Sequence, residues 1–418
     1  MRILILSFYY PPDLSAGSFR TGALVEALAA RLGPQDSLHI ITTMPNRYAS
    51  YKSDTPAYEE HGNIRIDRIE LPTHKSGFRD QALAFVRFAR EVLRRTRGLD
   101  ADIVFATSSR LMTATLGAVV ARRLGARLHL DIRDLFTDTL TDILKGPARL
   151  LVPVFVILER WTLRQACAIS IVSPGFEAHV GEICPNLELS LRTNGIDQEF
   201  LGFDYNHAGN EPPVILYAGN IGEGQGLERL VPAAARELVG RYRFRIIGDG
   251  GRRQALQTAL AAAEAEAGKA LDVELLPPLD RKALLEHYAR ADILLLHLND
   301  YPAFRRVLPS KLFEYGATGK PLLAGVGGVA ADFVKAHLPN AAIFAPCDVE
   351  DLMRALERFP LEMTESREFI ACFSRDGIME RLAEDILALG QLRSCECPDS
   401  VGAMASGQKV KKETPWIS

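Results

Sequence analysis

The sequence predicts two doubly wound α/β domains, each on a parallel sheet. Three observations predict it. The chain has 418 residues, too many for one ordinary core. Short apolar runs of the buried-strand type alternate with amphipathic helical stretches. The alternation runs to about residue 197, pauses in the polar, Pro/Gly-rich GFDYNHAGNEPP, and starts again. The expected division is a first domain over 1–197, a linker over 198–212, a second domain over 213–373, a last helix over 374–390 and a disordered tail over 391–418.

Residues 1–7 are an apolar strand, and a Pro/Gly-rich loop over 10–18 leads to a helix over 19–32, stopped by Gly33 and Pro34. SLHIITT (37–43) is a strand, and IRIDRIE (64–70) alternates like an edge strand. A long helix covers 79–97, ADIVFATS is a strand, 111–124 a helix, and ARLHLDIRD a strand ending in charges. A helix over 147–165, the strand CAISIVS and the stretch LSLRTNGID close the first half. PPVILYAGN then restarts the pattern, with a glycine loop and a helix from 226. YRFRIIGDGG is a strand with a glycine turn, followed by a helix over 251–266, the strand LDVELLPPL, a helix over 280–290 and the strand ADILLLHL. PSKLFEYGATGKP (309–321) holds one short helix. KPLLAGVGG is a strand and glycine loop, 329–337 a helix, AAIFAP the last strand, and helices fill 348–358 and 374–390.

Hydrophobic content of 47% and charged content of 24% fit an ordinary soluble globular protein, and a net charge of −3 gives no reason to expect nucleic acid as a partner. Cys395 and Cys397 fall in the tail. Cys167, Cys184, Cys347 and Cys372 are far apart without metal-ligand spacing, so a reducing, cytoplasmic compartment is expected. No aspartate pair has metal-site spacing, and neither a metal nor a cofactor is expected. The apolar start ends in Pro-Pro and has no cleavage site for a signal peptide. LLVPVFVIL (150–158) is far shorter than the roughly 20 residues of a membrane span, and reads first as a buried core helix, second as an interfacial segment.

In doubly wound sheets ligands bind beyond the carboxyl ends of the strands. Here those ends carry glycine turns: Gly17, Gly219–Gly226, Gly248–Gly251 and Gly325–Gly328. Such turns bring backbone N–H groups to an anion, and two facing domains of this kind form a cleft suited to a nucleotide diphosphate. Ser310 and Lys311 open the helix of PSKLFEYGATGKP, where a phosphate gains dipole, hydroxyl and ammonium together. Glu314, one turn on, presents a carboxylate suited to both hydroxyls of a ribose. Against this, Ser310 reads equally as an N-cap, Lys311 as a solvated cation and Glu314 as an ordinary first-turn acid.

PSKLFEYGATGKPLLA, LYAGNIGEGQGLERLV, RIIGDGG and DIRDLFTDTL, in that set, resemble retaining glycosyltransferases of the GT-B fold. The chain is most similar to the glycosyltransferase family 4 subgroup that adds amino sugars such as N-acetylfucosamine to lipid-linked O-antigen or capsule intermediates. The resemblance covers roughly 1–390. It implies that Glu314 is the second glutamate of the family's donor motif, binding the ribose, with Ser310 and Lys311 at the donor phosphates. Gly17 and Ser18 match the N-domain glycine loop, Asn220 to Gly226 (with Gln225) the first C-domain loop, and Gly248, Asp249 and Gly250 the turn near the nucleotide. The final helix is implied to pack back on the first domain. A retaining transferase working with a nucleotide-sugar, UDP-linked by analogy, and a lipid-linked or glycan acceptor is the implied activity.

The chain departs from the family in three places. The first donor-motif glutamate falls at Arg306. The usual Arg and Lys of the first C-domain loop fall at about Asn220 and Gln225. The histidine of many relatives falls at Arg133. Lys311 and Arg133 are therefore the expected cations for the leaving diphosphate, and Asp134 is expected to orient a sugar. Arg133 reads equally as a salt-bridge partner of Asp131 or Asp134, and Asp134 also as a helix N-cap.

The helix over 79–97 is expected to show Arg87, Arg90, Arg94 and Arg97 on one stripe, with Ala82, Phe85, Val86, Ala89, Val92 and Leu93 opposite. That stripe suits either peripheral contact with an anionic inner membrane face or plain solvent. Tyr9, Tyr10 and Tyr48 are read as acceptor-groove walls or as core. Two rival activities remain: a nucleotide-sugar 2-epimerase of the same fold and a non-catalytic scaffold.

Overall fold

The structure, a computed structural model, describes residues 1–13, 15–45, 55–71, 78–108, 111–143, 146–357, 359 and 361–391. Tyr48 and the expected tail beyond 391 lie outside them. The chain divides into two compact units: Met1–Asn194 with the chain from Arg375 onward, and Gly195–Ser374.

The first unit runs β1 (Arg2–Leu6), α1 (Ala16–Ala29), β2 (Ser37–Thr43), β3 (Tyr58–His61), β4 (Ile64–Ile69), α2 (Phe78–Arg95), β5 (Ile103–Thr107), α3 (Leu111–Leu124), β6 (Arg127–Ile132), α4 (Phe136–Ile143), a 3-10 stretch Gly146–Leu151, α5 (Val152–Arg164), β7 (Ala168–Ile171), α6 (Glu177–Ile183) and β8 (Leu189–Leu191). Its sheet has the order β3-β4-β2-β1-β5-β6-β7-β8, parallel throughout except for β3. The apolar runs explain the centre. β5 is buried along its whole length, as a strand covered on both faces must be. Gly117 lets α3 sit directly on β5, because a Cβ there would strike the Ala106 methyl.

The second unit runs β9 (Val214–Ala218), α7 (Leu227–Leu238), β10 (Arg243–Ile247), α8 (Arg253–Ala267), β11 (Val273–Leu276), α9 (Arg281–Ala289), β12 (Ile293–His297), α10 (Lys311–Thr318), β13 (Leu322–Gly325), α11 (Gly328–His337), β14 (Ala341–Phe344), α12 (Val349–Glu357) and α13 (Arg367–Phe373). Its sheet is wholly parallel, in the order β11-β10-β9-β12-β13-β14. The last helix, α14 (Arg375–Gln391), belongs to the first unit. There Met379, Leu382, Ile386 and Leu389 share a core with Leu24, Val25 and Leu28 of α1. The strand order reverses between β1 and β5 in one sheet and between β9 and β12 in the other. These reversals put the β1–α1, β9–α7 and β12–α10 loops where such sheets take ligands.

Five expectations need correction. IRIDRIE is not an edge strand: β4 lies between β2 and the antiparallel β3, whose polar YEEH carries no apolar signal. The first helix starts at Ala16, three residues before the expected 19, because Ser15 caps it through the Ser18 N–H at 3.2 Å. The 147–165 helix is split, with Pro153 in the first turn of α5. LLVPVFVIL is not a buried core helix: Leu150 is 81% exposed, Val154 60% and Ile157 69%. On α2 the buried face is Ala84, Phe88 and Val92, packed through Phe88 on Phe8, while the expected apolar residues Ala82 and Val86 are exposed. The short α13 was not anticipated.

Candidate functional site

In the first unit the site begins at the N-terminus of α1. Gly17 lies against the guanidinium of Arg133: a Cβ there would be 3.2 Å from Nη1. Arg133 extends from the carboxyl end of β6 and is held by its backbone N–H to Ser108 Oγ (2.9 Å) and by Nη2 to Asn194 Oδ1 (3.2 Å). It makes no ion pair with Asp131 or Asp134 among the described residues. Arg20, which the sequence did not single out, has taken Asp131. Arg20 Nε and Nη2 each reach that carboxylate at 2.9 Å, Ser170 Oγ adds 2.8 Å, and Arg20 Nη1 donates to the Thr193 carbonyl at 2.6 Å. Burial opposes the Asp131 charge, but Arg20 holds its carboxyl below the ordinary value.

Arg133 is therefore a cation without a carboxylate. Burial, with the like charge of Arg20, pushes it down to about 9, and it stays charged at neutral pH. Its Nη1 is shut off from solvent with no hydrogen-bond partner, and so is the hydroxyl of the fully buried Ser18. Two unpartnered donors beside the first turn of a 14-residue helix make an anion-seeking corner. Asp134 stands just before α4, with its carboxyl crowded by protein. Desolvation by the surrounding protein raises its carboxyl to about 6, against the Leu135 N–H and Arg133.

In the second unit Ser310 stands at the N-cap of α10 but its side chain makes no capping bond. Lys311 is not simply solvated. Its Nζ lies 2.6 Å from Glu314 Oε2 and 2.9 Å from the Tyr288 hydroxyl, which is itself 3.3 Å from Glu314 Oε2. Burial opposes the ammonium's charge, yet the Glu314 carboxylate leaves the net shift upward. Tyr288 is fully buried between the Phe200 and Tyr315 rings, so the triad rests on a rigid floor. Gly219, at the end of β9, faces the Lys311 stem: a Cβ there would be 3.7 Å from Cε.

The Gly219–Gly226 loop is internally bonded. Asn220 Nδ2 donates to Gln225 Oε1 (3.0 Å), and the Gly222 N–H does the same (3.2 Å). Gly226 has a left-handed φ of 56° at the start of α7. Gly248 and Gly250, either side of Asp249, serve loop packing: Cβ atoms there would strike the carbonyls of Gly219 and Ile221. The Asp249 carbonyl accepts the Ile221 N–H at 2.9 Å.

Beneath this loop is a cluster that sequence reasoning missed. His297, fully buried at the end of β12, donates Nδ1–H to the Gln225 carbonyl (2.6 Å) and accepts the Cys347 N–H at Nε2 (2.9 Å). Those partners fix one neutral tautomer, and burial lowers its pKa to about 4. Asn299 accepts from Arg229 Nη1 (2.6 Å) and donates to the Glu223 carbonyl (2.8 Å). A histidine in an apolar strand reads as core. Its one sequence cue is position, at the carboxyl end of the strand next to the reversal. Arg306, where the resemblance expects a glutamate, closes the 3-10 turn Pro302–Arg306.

Residues 17–185 match the model of the Glycosyl transferase 4-like domain, and 203–371 match Glycosyl transferases group 1. A curated relative, the putative colanic acid biosynthesis glycosyl transferase WcaI of Escherichia coli (strain K12), is 24% identical over 92% of this chain and 100% of its own length. Among solved structures, sucrose-phosphate synthase from Thermosynechococcus elongatus is 14% identical at a TM-score of 0.64, over 93% of this chain and 96% of that one. Anabaena Alr3699/HepE, solved with UDP and glucose, is 14% identical at 0.58, over 94% and 97%. At such identity these structures speak for the fold. The two matches follow one another along most of the sequence, each half similar to a glycosyltransferase domain, and the chain has the two-domain fold of the GT-B glycosyltransferases.

Proposed function

We propose that this protein is a retaining glycosyltransferase that moves a sugar from a nucleotide-sugar, UDP-linked, to a lipid-linked glycan acceptor in surface-polysaccharide synthesis. The observation that carries the reading is the corner of Gly17, Ser18 and Arg133: two donors without partners at a helix N-terminus, the Ser18 hydroxyl and Nη1 of Arg133, which is a cation without a carboxylate. Sugar transfer breaks the anomeric carbon–phosphate oxygen bond and forms one to the acceptor oxygen, and negative charge grows on the leaving diphosphate. Fixed donors aimed at that charge are the main contribution such a site makes.

The reading assigns the leaving diphosphate to Gly17, Ser18 and Arg133, with Lys311 and Ser310 as a second cationic end, and the ribose to Glu314. Asn220, Gln225 and Gly226, with Gly248, Asp249 and Gly250, form the loops beside the nucleotide. Asp134 orients a reacting sugar. The acceptor hydroxyl's proton passes to the leaving phosphate oxygen, so no general base is assigned, and no metal or cofactor either. An amino sugar of the N-acetylfucosamine type is the proposed cargo, from the resemblance. UDP is favoured by the same resemblance and by the UDP bound in the HepE structure. The protein works at the cytoplasmic face of the cell membrane, the exposed arginines of α2 forming the basic side of a peripheral contact.

Calorimetric titration with UDP, GDP, ADP and dTDP tests this, alongside Arg133→Ala and Glu314→Ala. Selective binding of UDP, weakened by both substitutions, is the expected result. A folded protein that binds none of the four would overturn the donor site and favour a non-catalytic scaffold.

A further inference from the structure

The α2, α3 and α5 helices lie side by side in the first unit, α3 packing on both neighbours. Each follows a strand of the parallel sheet and runs back along it, so their N-terminal halves are at the carboxyl edge of that sheet. That edge also carries Gly17, Arg133 and Asp134.

Two patterns meet on this layer. Large aliphatic side chains stand in solvent at the N-terminal halves: Leu83 and Val86 on α2, and Leu150, Leu151, Val154 and Ile157 across the 3-10 stretch and α5. They form most of the exposed large hydrophobic residues described in the chain, and isolated exposure does not explain such a concentration. Arginines take over toward the C-terminal halves. Those halves hold eight: four in α2, two in α3 and two in α5, against two acids, Glu91 and Glu159. Of those acids, Glu159 is buried on Thr137 and His179, and Glu91 is paired with Arg94 and Arg95. Over the whole chain 49 basic residues face 52 acids, so this layer is basic on a protein that is not.

We infer that this layer docks on an anionic lipid bilayer, with Leu150, Leu151, Val154 and Ile157 entering the interface and the arginines of α2, α3 and α5 facing the headgroups. The charge decides between occupants. A second copy would bring eight like arginines against these eight, whereas an anionic membrane complements both the charge and the aliphatic edge. The insertion falls on the 150–157 edge rather than on α2 alone, and it sets the carboxyl edge of the sheet toward the bilayer. The inference rests on the transferase reading for its purpose, since a lipid-linked acceptor is anchored there, but not for its evidence.

The test is flotation of the full chain with phosphatidylcholine vesicles, with and without phosphatidylglycerol, for the natural protein, for Val154→Ser with Ile157→Ser, and for Arg90→Gln with Arg94→Gln. All four side chains are solvent-exposed, so folding is retained, which circular dichroism verifies. Binding only to the anionic vesicles is expected. Each lost arginine lowers the partition coefficient about fivefold and the double serine variant lowers it tenfold or more. Vesicle binding unaltered by the serine variant, or absent from the natural protein, overturns the inference. So does a natural protein that sediments as a dimer and becomes monomeric in the serine variant, which would make the edge a contact between copies. UDP titration of the same samples separates the two readings: vesicle binding as expected with no nucleotide binding leaves this surface standing and removes the transferase site.

Discussion

Lys311 and Glu314, one turn apart on α10, form a 2.6 Å ion pair whose acceptor oxygen also lies beside the Tyr288 hydroxyl. The carboxylate proposed for the ribose is thus the group that holds the proposed phosphate cation. Neither acts alone, and a nucleotide that engages one disturbs the other. Lys311→Ala and Glu314→Ala are each expected to weaken UDP binding by about 2 kcal/mol, roughly thirtyfold. The double variant should lose clearly less than the sum, because the pair is coupled. Calorimetry on the four proteins measures this. Strictly additive losses would show that the two residues contact the nucleotide independently.

Arg133 makes the opposite kind of prediction. Its Nη1 has no partner and Asp131, two residues away, is bound to Arg20, so the fold gains little from its charge. Arg133→Ala should leave the unfolding free energy from urea titration within about 1 kcal/mol of the natural protein's while lowering kcat by about 10²–10³. Arg133→Lys should not restore the rate, because an ammonium lacks the planar fork that meets two phosphate oxygens. Full rescue by lysine would reduce the role of Arg133 to a point charge.

Arg20→Met tests the same corner from beneath. It leaves Asp131 buried without its bidentate partner, a loss of about 3–5 kcal/mol in the stability of the first unit. The urea midpoint monitored at Trp161 of α5 should fall, with nucleotide binding at the second unit's Glu314 retained in the folded fraction. An unchanged midpoint would mean that Asp131 is not ionised in the native protein.

Much of this was readable in the sequence because it is local. The apolar runs of β1, β5, β9 and β12 name central parallel strands, and the short helix expected within 309–321 is α10, ended by Gly319 with its left-handed φ of 67°. What was not readable is set by contacts distant along the chain. Asp131 meets Arg20 across 111 residues, and no spacing rule marks that choice over its neighbour Arg133. The buried face of α2 is decided by Phe8, far away in sequence, so a wheel drawn from α2 alone places Ala82 and Val86 wrongly. Gly248 and Gly250 look like a phosphate turn, yet their lack of a Cβ is already required by the neighbouring loop.

Stability should fall on mild acidification in both units. His129 in the first unit and His297 in the second are buried, and burial lowers each from 6.5 to about 4. Above pH 6.5 both stay neutral folded or unfolded, and their contribution is complete. As pH drops from 6.5 to 4 the unfolded chain takes up protons that the folded chain refuses, and about 3 kcal/mol is lost per histidine. Urea midpoints at pH 7 and 5 measure the slope. His297→Asn should flatten it for the second unit alone, and an unaltered slope would assign the acid sensitivity elsewhere.

Asp134 acts in an overlapping pH window but on the rate. Its carboxyl is raised to about 6, so it is ionised above that pH and neutral below it. As the group that orients a reacting sugar, it should make kcat/KM fall about tenfold per pH unit below 6 and level off above. Asp134→Asn should be slower at pH 7.5 and lose this acidic limb. The histidine linkage gives an acidic decline too, but through the folded fraction. Circular dichroism at each pH separates the two, since the Asp134 limb persists where the protein is fully folded. A limb that survives in Asp134→Asn with the fold intact would move the orienting role to another carboxylate.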